Sequence, residues 1–237
     1  MIRCIRSNLF SVFLHLLMTA QKTAIVFGAT GLIGGHLLQG LLDDPAYGKV
    51  IAVVRHDMGI KHPNFQQLFA DLQSIDDIKE QLVADDVFCC LGTTRKKTPN
   101  LQAYYRIDHD YPVAAAELTK AMGAKAFLLV SAVGADAESA NFYLRIKGET
   151  ERDVVAVGLE RTHIFRPSLL TGNRPEKRWA ETASESLFKA INPLLINGLS
   201  KYRSIPAAWV ARAMRKAAER EHGGVHVYHW KAIKQLV

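Results

Sequence analysis

Tyr143 and Lys147, four residues apart in YLRIK, are a pair that can move a proton to or from a substrate oxygen. On a helix such a pair shares one face, about one turn apart. An ammonium beside a phenol favours the phenolate, so the spacing predicts a Tyr143 hydroxyl whose pKa falls towards working pH. YxxxK alone is common by chance, but here it follows an apolar run, Ala126 to Val130, that ends in the hydroxyl of Ser131. A second set of residues lies far upstream in TAIVFGATGLIGGHLL, residues 23–38, where Gly28, Gly31 and Gly34 separate an apolar run from an apolar periodic segment. Strand, tight turn and helix in that order present backbone N–H groups to a phosphate. Gly28 permits the turn, Gly31 lets the backbone approach a pyrophosphate, and Gly34 lets the helix pack on the strand, with the helix dipole favouring the anion. The spacing is GxxGxxG, one residue longer in its first step than the GxGxxG of common dinucleotide dehydrogenases.

The elements that must hold these residues alternate along the chain. Lys49 to Val54 (KVIAVV) is β-branched without polar alternation, as a strand buried on both faces requires. It closes at Arg55, with His56 and Lys61 nearby. About 20 residues beyond the last glycine an acid would hold the ribose 2′-OH of NAD, whereas an Arg suits the 2′-phosphate of NADP. A third strand is expected over Phe65 to Ala70, closed by Asp71, and Ser74 with Asp77 predicts a capped helix over SIDDIKEQLV. A fourth strand, Val87 to Leu91, runs into the small-residue turn Gly92-Thr93-Thr94 and the basic trio Arg95, Lys96, Lys97, read as an exposed loop rather than a guide for an anion. Leu101 to Met122 is helical, with Pro112 expected to kink it or to open a new helix. Asn141 can cap and Gly158 can close the Tyr143 helix, and Thr162 to Phe165 is a sixth strand. Segments 176–199 and 206–222 read as helices. The expected fold is a doubly wound α/β parallel sheet of Rossmann type, strand order 3-2-1-4-5-6, with helices on both faces.

A chain of 237 residues, 49% hydrophobic and 22% charged, has material for one large α/β core. The net charge of +7 is uneven, since residues 201–237 carry eight Lys/Arg against two Glu. Arg212, Arg215, Lys216 and Arg220 recur there as the wet face of a helix, which is a simpler reading than a nucleic-acid or acidic-partner surface. Residues 1–20 hold two arginines and a short apolar run, Leu9 to Met18, with the look of a secretory signal but too short to span a bilayer. Residues 1–17 are expected to be a dispensable extension, a membrane-surface helix being the rival, and 18–237 a single domain. Cys89 and Cys90 are adjacent and should point to opposite faces of a strand, and Cys4 stands apart, so no disulfide framework is expected and a reducing, cytoplasmic setting fits. His222, His226 and His229 are spaced temptingly for a metal, but Gly223-Gly224 breaks any helix between them and no metal is expected. No internal repeat or nucleic-acid fingerprint occurs.

Gly28-Ala-Thr-Gly31-Leu-Ile-Gly34, Ser131 and Tyr143-xxx-Lys147 resemble the atypical or extended short-chain dehydrogenase/reductases. FCCLGTTR (88–95), IDHDY (107–111), YLRIKGE (143–149) and FRP (165–167) are more closely similar to the small HIV-Tat-interacting-protein-like branch of NAD(P)H-binding oxidoreductases, over essentially 22–236. The resemblance implies a catalytic set of Tyr143 as general acid, Lys147 also holding the nicotinamide ribose, and Ser131 orienting a carbonyl. It implies NADP(H), preferred over NAD(H), with contacts from Gly28, Thr30, Gly31, Leu32, Ile33, Gly34, Arg55, Asp71, Leu72, Gly92, Thr93, Thr94, Lys147, Arg166 and Pro167. The segment beyond about residue 168 would shape a pocket for a small-molecule substrate, in a monomer or homodimer without a membrane span. Many members add an Asn to the catalytic set, and the corresponding region here has Asp108. An NADPH-dependent carbonyl oxidoreductase is the leading expectation; the alternative is an NADP(H)-binding regulatory or protein-interaction protein with little turnover.

Overall fold

The computed structural model describes residues 21–71, 73–172, 195 and 197–237. The expected extension at 1–17, Cys4, and most of the helix expected over 176–199 lie outside the described residues. The apolar runs become β1 (Lys22–Phe27), β2 (Tyr47–Val54), β3 (Phe65–Phe69), β4 (Asp86–Cys89), β5 (Ala126–Val130) and β6 (Arg161–Phe165). They pair in parallel in the expected order 3-2-1-4-5-6. Two short strands, β7 (Leu170–Thr171) and β8 (Ile205–Pro206), form a separate parallel pair, and β9 (Gly224–Tyr228) adds a seventh strand beside β6. β9 is an edge strand with only Tyr228 buried, so it lacks the continuous apolar run that marks its neighbours.

Burial on two faces explains the composition of the inner strands. Ala24 and Val26 meet one layer, built from Leu37, Leu38 and Leu41 of α1 (Leu32–Leu42) and Val210 and Met214 of α5 (Ala207–Ala218). Ile25 and Phe27, pointing the other way along the same strand, meet Ala115 and Ala116 of α3 (Tyr111–Ala121) and Val154 of α4 (Phe142–Val157). Each such fully buried large side chain contributes roughly 1.5–3 kcal/mol of transfer free energy. Cys89 and Cys90 are free and pack in opposite layers, as their adjacency on a strand requires. Arg212 and Lys216 face solvent on α5, and Arg215 crosses over Gly40 of α1 to pair with Asp44 at 2.9 Å.

The expected helix over SIDDIKEQLV is instead a 3₁₀ segment, Ile75–Gln81. The Ser74 hydroxyl is engaged with Asp71, whose carboxylate also accepts from the N–H groups of Gln73 and Ser74, so the local turn takes the cap that an α-helix needed. Around Pro112 the chain stays helical but changes gauge, running from α2 (Leu101–Tyr105) through a π turn, Arg106–Asp110, into α3. Proline has no N–H for the carbonyl four residues back, which is that of Asp108. The Thr150 hydroxyl of α4 stands 2.8 Å from that carbonyl and 2.8 Å from Ile146 O, sharing its proton between them.

At the N-terminal end of the strands Asp86 is fully buried. It accepts from the Tyr47 hydroxyl at 2.8 Å and pairs with Lys22 at 3.1 Å and Arg161 at 3.7 Å. Arg161 also donates to the Ala218 and Arg220 carbonyls, tying the C-terminal end of α5 to the sheet. The histidines of the C-terminal region do not converge. His226 stacks on buried His163 with ring centroids 5.1 Å apart, while His229 precedes α6 (Trp230–Gln235), and among the described residues no group of three or more His, Cys, Asp or Glu could hold a metal.

Candidate active site and cofactor cleft

The C-terminal ends of β1 to β6 open into one cleft with two adjoining lobes of about 690 and 750 Å³, a size suited to an organic ligand. The loops after β1 and β4 diverge there, which is where open parallel sheets bind ligands. Gly28 has φ +78°, and a Cβ on it would stand 2.7 Å from the Cys90 backbone. A Cβ on Gly34 would stand 2.1 Å from the Gly28 carbonyl, so Gly34 sets how closely α1 approaches the turn, without lining the cleft itself. Gly31 is the N-cap of α1 in extended conformation, and no side chain caps the helix. Donors at that end are thereby left for an anion.

The larger lobe is lined by Gly28, Thr30, Arg55 after β2, Asp71 after β3, and Gly92 and Thr93 after β4. Asp71 is held below its ordinary value by the Gln73 N–H and then by the Ser74 bonds and Arg55. Arg106, in the π turn, lines the same lobe and is a further cation that spacing did not disclose. In the smaller lobe Leu32, Ile33, Thr94, Ser131, Tyr143, Lys147 and Pro167 come together. Arg166 does not join them. Its guanidinium forms a bidentate pair with Glu151 of α4 and lines neither lobe. Leu72 lies outside the described residues. Of the basic trio, Lys97 lines both lobes, whereas Arg95 sits over the Phe142 ring at 5.9 Å.

Asn141 caps α4 by accepting from the N–H groups of Tyr143 and Leu144, and Gly158 closes it in the left-handed conformation, as expected. Tyr143 and Lys147 therefore rise from one face into the lobe. Lys147, 5% exposed, does not point its charge at the phenol alone: its Nζ is 2.9 Å from Asp108 Oδ1. Burial pulls its pKa down, but Asp108 and then Tyr143 outweigh that, and the net direction is up. The expected fall in the Tyr143 pKa does not occur. Partial desolvation, then the Asp108 carboxylate, push the phenol above its ordinary value against the pull of Lys147. Asp108 is fully buried; its Oδ2 accepts from the Thr93 N–H at 2.7 Å, so it fastens the loop after β4 as well. Its π turn is tied to α4 through His109, which bridges Asp110 at 2.8 Å and Asp153 at 2.9 Å. Ser131 is 5% exposed and its Oγ has no hydrogen-bond partner among the described residues.

Gly148, next to Lys147, has a role that spacing alone did not disclose. A Cβ there would stand 2.1 Å from Ala137 N and 2.2 Å from Asp136 C, so α4 sits against the loop after β5 only because this residue is glycine. A glycine inside a helical pattern, where it costs about 1 kcal/mol relative to Ala, was the available signal.

A doubly wound parallel sheet whose strand ends frame a glycine-turn helix terminus and a two-lobed cleft defines a Rossmann-type nucleotide-binding protein. The family model described as NAD(P)H-binding matches residues 28–221, and the chain belongs to that family. Protein HTATIP2 of Rattus norvegicus is 34% identical over 82% of this chain and 80% of its own length. Protein FMP52, mitochondrial, of Saccharomyces cerevisiae is 33% identical over 65% of this chain and 68% of its own. Among solved structures, a UDP-N-acetylglucosamine 4-epimerase from Methanobrevibacter ruminantium M1 in complex with UDP-N-acetylmuramic acid superposes with a TM-score of 0.66 at 20% identity, covering 88% of this chain and 76% of that one. MoeE5 in complex with UDP-glucose and NAD gives 0.65 at 17%, covering 91% and 79%. These two likenesses carry the fold. Among the described residues no helix is long and apolar enough to cross a membrane.

Proposed function

We propose that the protein is an NADPH-dependent oxidoreductase acting on a carbonyl compound or the corresponding alcohol. The observation that carries this is the Ser131 hydroxyl, buried without a partner among the described residues and lining one lobe with Tyr143 and Lys147. A buried polar group left unpaired costs about 1–3 kcal/mol, which a substrate oxygen would relieve. The cleft fits a dinucleotide: the Gly28 and Gly31 turn admits a backbone approach that a Cβ at Gly28 would block, and Arg55, lining the larger lobe at the end of β2, is the cation assigned to a 2′-phosphate in this reading. When bound, the nicotinamide supplies or takes up the hydride exchanged with the carbon of the substrate. This chain's own residues do the rest. Ser131 orients the oxygen, Tyr143 handles its proton, and Lys147 supplies the charge beside the phenol and a donor for the ribose. The segment from about residue 168, with Ser168 and Leu170 at the rim of the lobe, shapes the substrate side. Free Cys89 and Cys90 accord with a reducing compartment, cytoplasmic or, as the names of the fungal relatives have it for those proteins, mitochondrial.

NADPH oxidation measured across a panel of aldehydes and ketones tests the proposal. Tyr143→Phe should lower turnover of any substrate found by about 10²- to 10⁴-fold while NADPH affinity stays nearly intact, since the glycine turn and Arg55 make those contacts. Turnover above about a tenth of the parental rate in Tyr143→Phe would remove Tyr143 as the general acid.

A further inference from the structure

The Asp108 carboxylate sits in a setting that is built rather than incidental. It is fully buried, 2.9 Å from Lys147 Nζ through one oxygen and 2.7 Å from the Thr93 N–H through the other. The backbone beneath it is a π turn forced by Pro112, with Thr150 of α4 standing in for the missing proline N–H at the Asp108 carbonyl. A Cβ on Gly92 would stand 3.4 Å from Asp108 Oδ1 and 3.7 Å from Lys147 Nζ, so the loop after β4 closes over the ion pair at ordinary contact distance. A buried charge held by three elements is costly unless paired, and Lys147 is the cation that pairs it. The other titratable groups that face it are Tyr143 from α4, Tyr104 from α2 and Cys89 from β4.

We propose that Asp108 is a positioning residue that fixes the Lys147 ammonium and takes up part of its charge, so that Tyr143 stays protonated and gives its proton to a carbonyl oxygen rather than taking one from an alcohol. The inference rests on the oxidoreductase reading and deepens it by assigning the site to reduction. In that step the Tyr143 O–H bond breaks as the new O–H bond forms on the substrate oxygen, and the phenolate recovers its proton from water in the open cleft. The ammonium remains an ammonium throughout, as burial beside a carboxylate demands. With an amide at 108 the ammonium would act on the phenol without the opposing carboxylate, and the Tyr143 pKa would move down from its raised position, against the burial that still lifts it.

The test is a spectrophotometric titration of tyrosinate in the full chain without cofactor or substrate, taking the Tyr143 component as the difference from Tyr143→Phe. In Asp108→Asn its midpoint should fall measurably below the parent's, and Asp108→Glu, which keeps the charge, should stay near the parent. Asp108→Ser should fall as Asp108→Asn does, so that misfolding of one variant leaves the measurement standing. With a substrate in hand, the ratio of carbonyl reduction to alcohol oxidation at neutral pH should drop in Asp108→Asn, a readout that a merely structural role would not move. A Tyr143 midpoint unchanged in folded Asp108→Asn or Asp108→Ser, or one that falls equally in Asp108→Glu, would overturn the proposal. Because the titration needs no turnover, its failure is distinguishable from failure to find any carbonyl substrate.

Discussion

Replacing Arg55 with Ala isolates the cofactor assignment. Arg55 closes β2, is exposed, and lines the larger lobe together with Asp71, whose carboxyl it helps to hold ionised. A charge-assisted hydrogen bond is worth about 1.5–3 kcal/mol, and solvent exposure places this one at the lower end. A loss of about 1.4 kcal/mol is tenfold in affinity. Arg55→Ala should therefore weaken NADPH about tenfold and NADH by less than about twofold, because only the phosphorylated cofactor loses a partner. The Asp71 charge remains behind in the variant and adds repulsion to a 2′-phosphate, so Asp71→Asn combined with Arg55→Ala should recover part of the NADPH loss. Calorimetric titration of parent and variants with both nucleotides, at low and moderate salt, reads these quantities directly. The difference should shrink as salt rises. Equal losses for NADPH and NADH would refute the reasoning and move attention to Arg106 and Lys97, which line the same lobe.

Two further outcomes concern the frame of the site. Asp86→Ala strands the buried Arg161 guanidinium and the Tyr47 hydroxyl and should cost about 3–5 kcal/mol, seen as a lower urea midpoint at unchanged slope. Lys22→Ala should cost far less, because Lys22 is 37% exposed and its partner keeps Arg161; comparable losses would mean that Asp86 is not the centre of the cluster. His163 is fully buried and its pKa falls from 6.5 to about 4, first through desolvation and then through His226, Arg161 and Arg220. A depressed base is protonated more readily in the unfolded chain, so stability is complete above the unfolded pKa of about 6.5 and is lost as pH falls towards about 4. Denaturation midpoints at pH 7 and 5 should diverge for the parent and less for His163→Gln; the same pH slope in both would show that other groups carry the acid sensitivity.

Local chemistry determined much of this protein without help from the fold. Apolar runs between glycine and proline punctuation read as strands of a parallel sheet, and right-handed crossovers favour one order for six of them, which is the order observed, with β3 at its edge. GxxGxxG at a strand-to-helix turn, Asn141 and Gly158 as helix caps, and the four-residue spacing of Tyr143 and Lys147 are short-range constraints, and each is realised where the residues stand. What only the tertiary structure decided is long-range. Arg166 was drawn away from the cleft by Glu151, whose position depends on how α4 packs beside β6. The Ser74 helix lost its cap to Asp71, and β9 formed because β6 offered an unpaired edge. The largest change is at the phenol. Tyr143 and Lys147 read together promise a lowered pKa, but burial of the phenol raises it, and a carboxylate 35 to 39 residues upstream, folded against the ammonium by a π turn, a proline and a threonine on another helix, adds to that. Coulomb energy depends on distance in space and on the water excluded from the gap, neither of which is written in the spacing of residues along the chain.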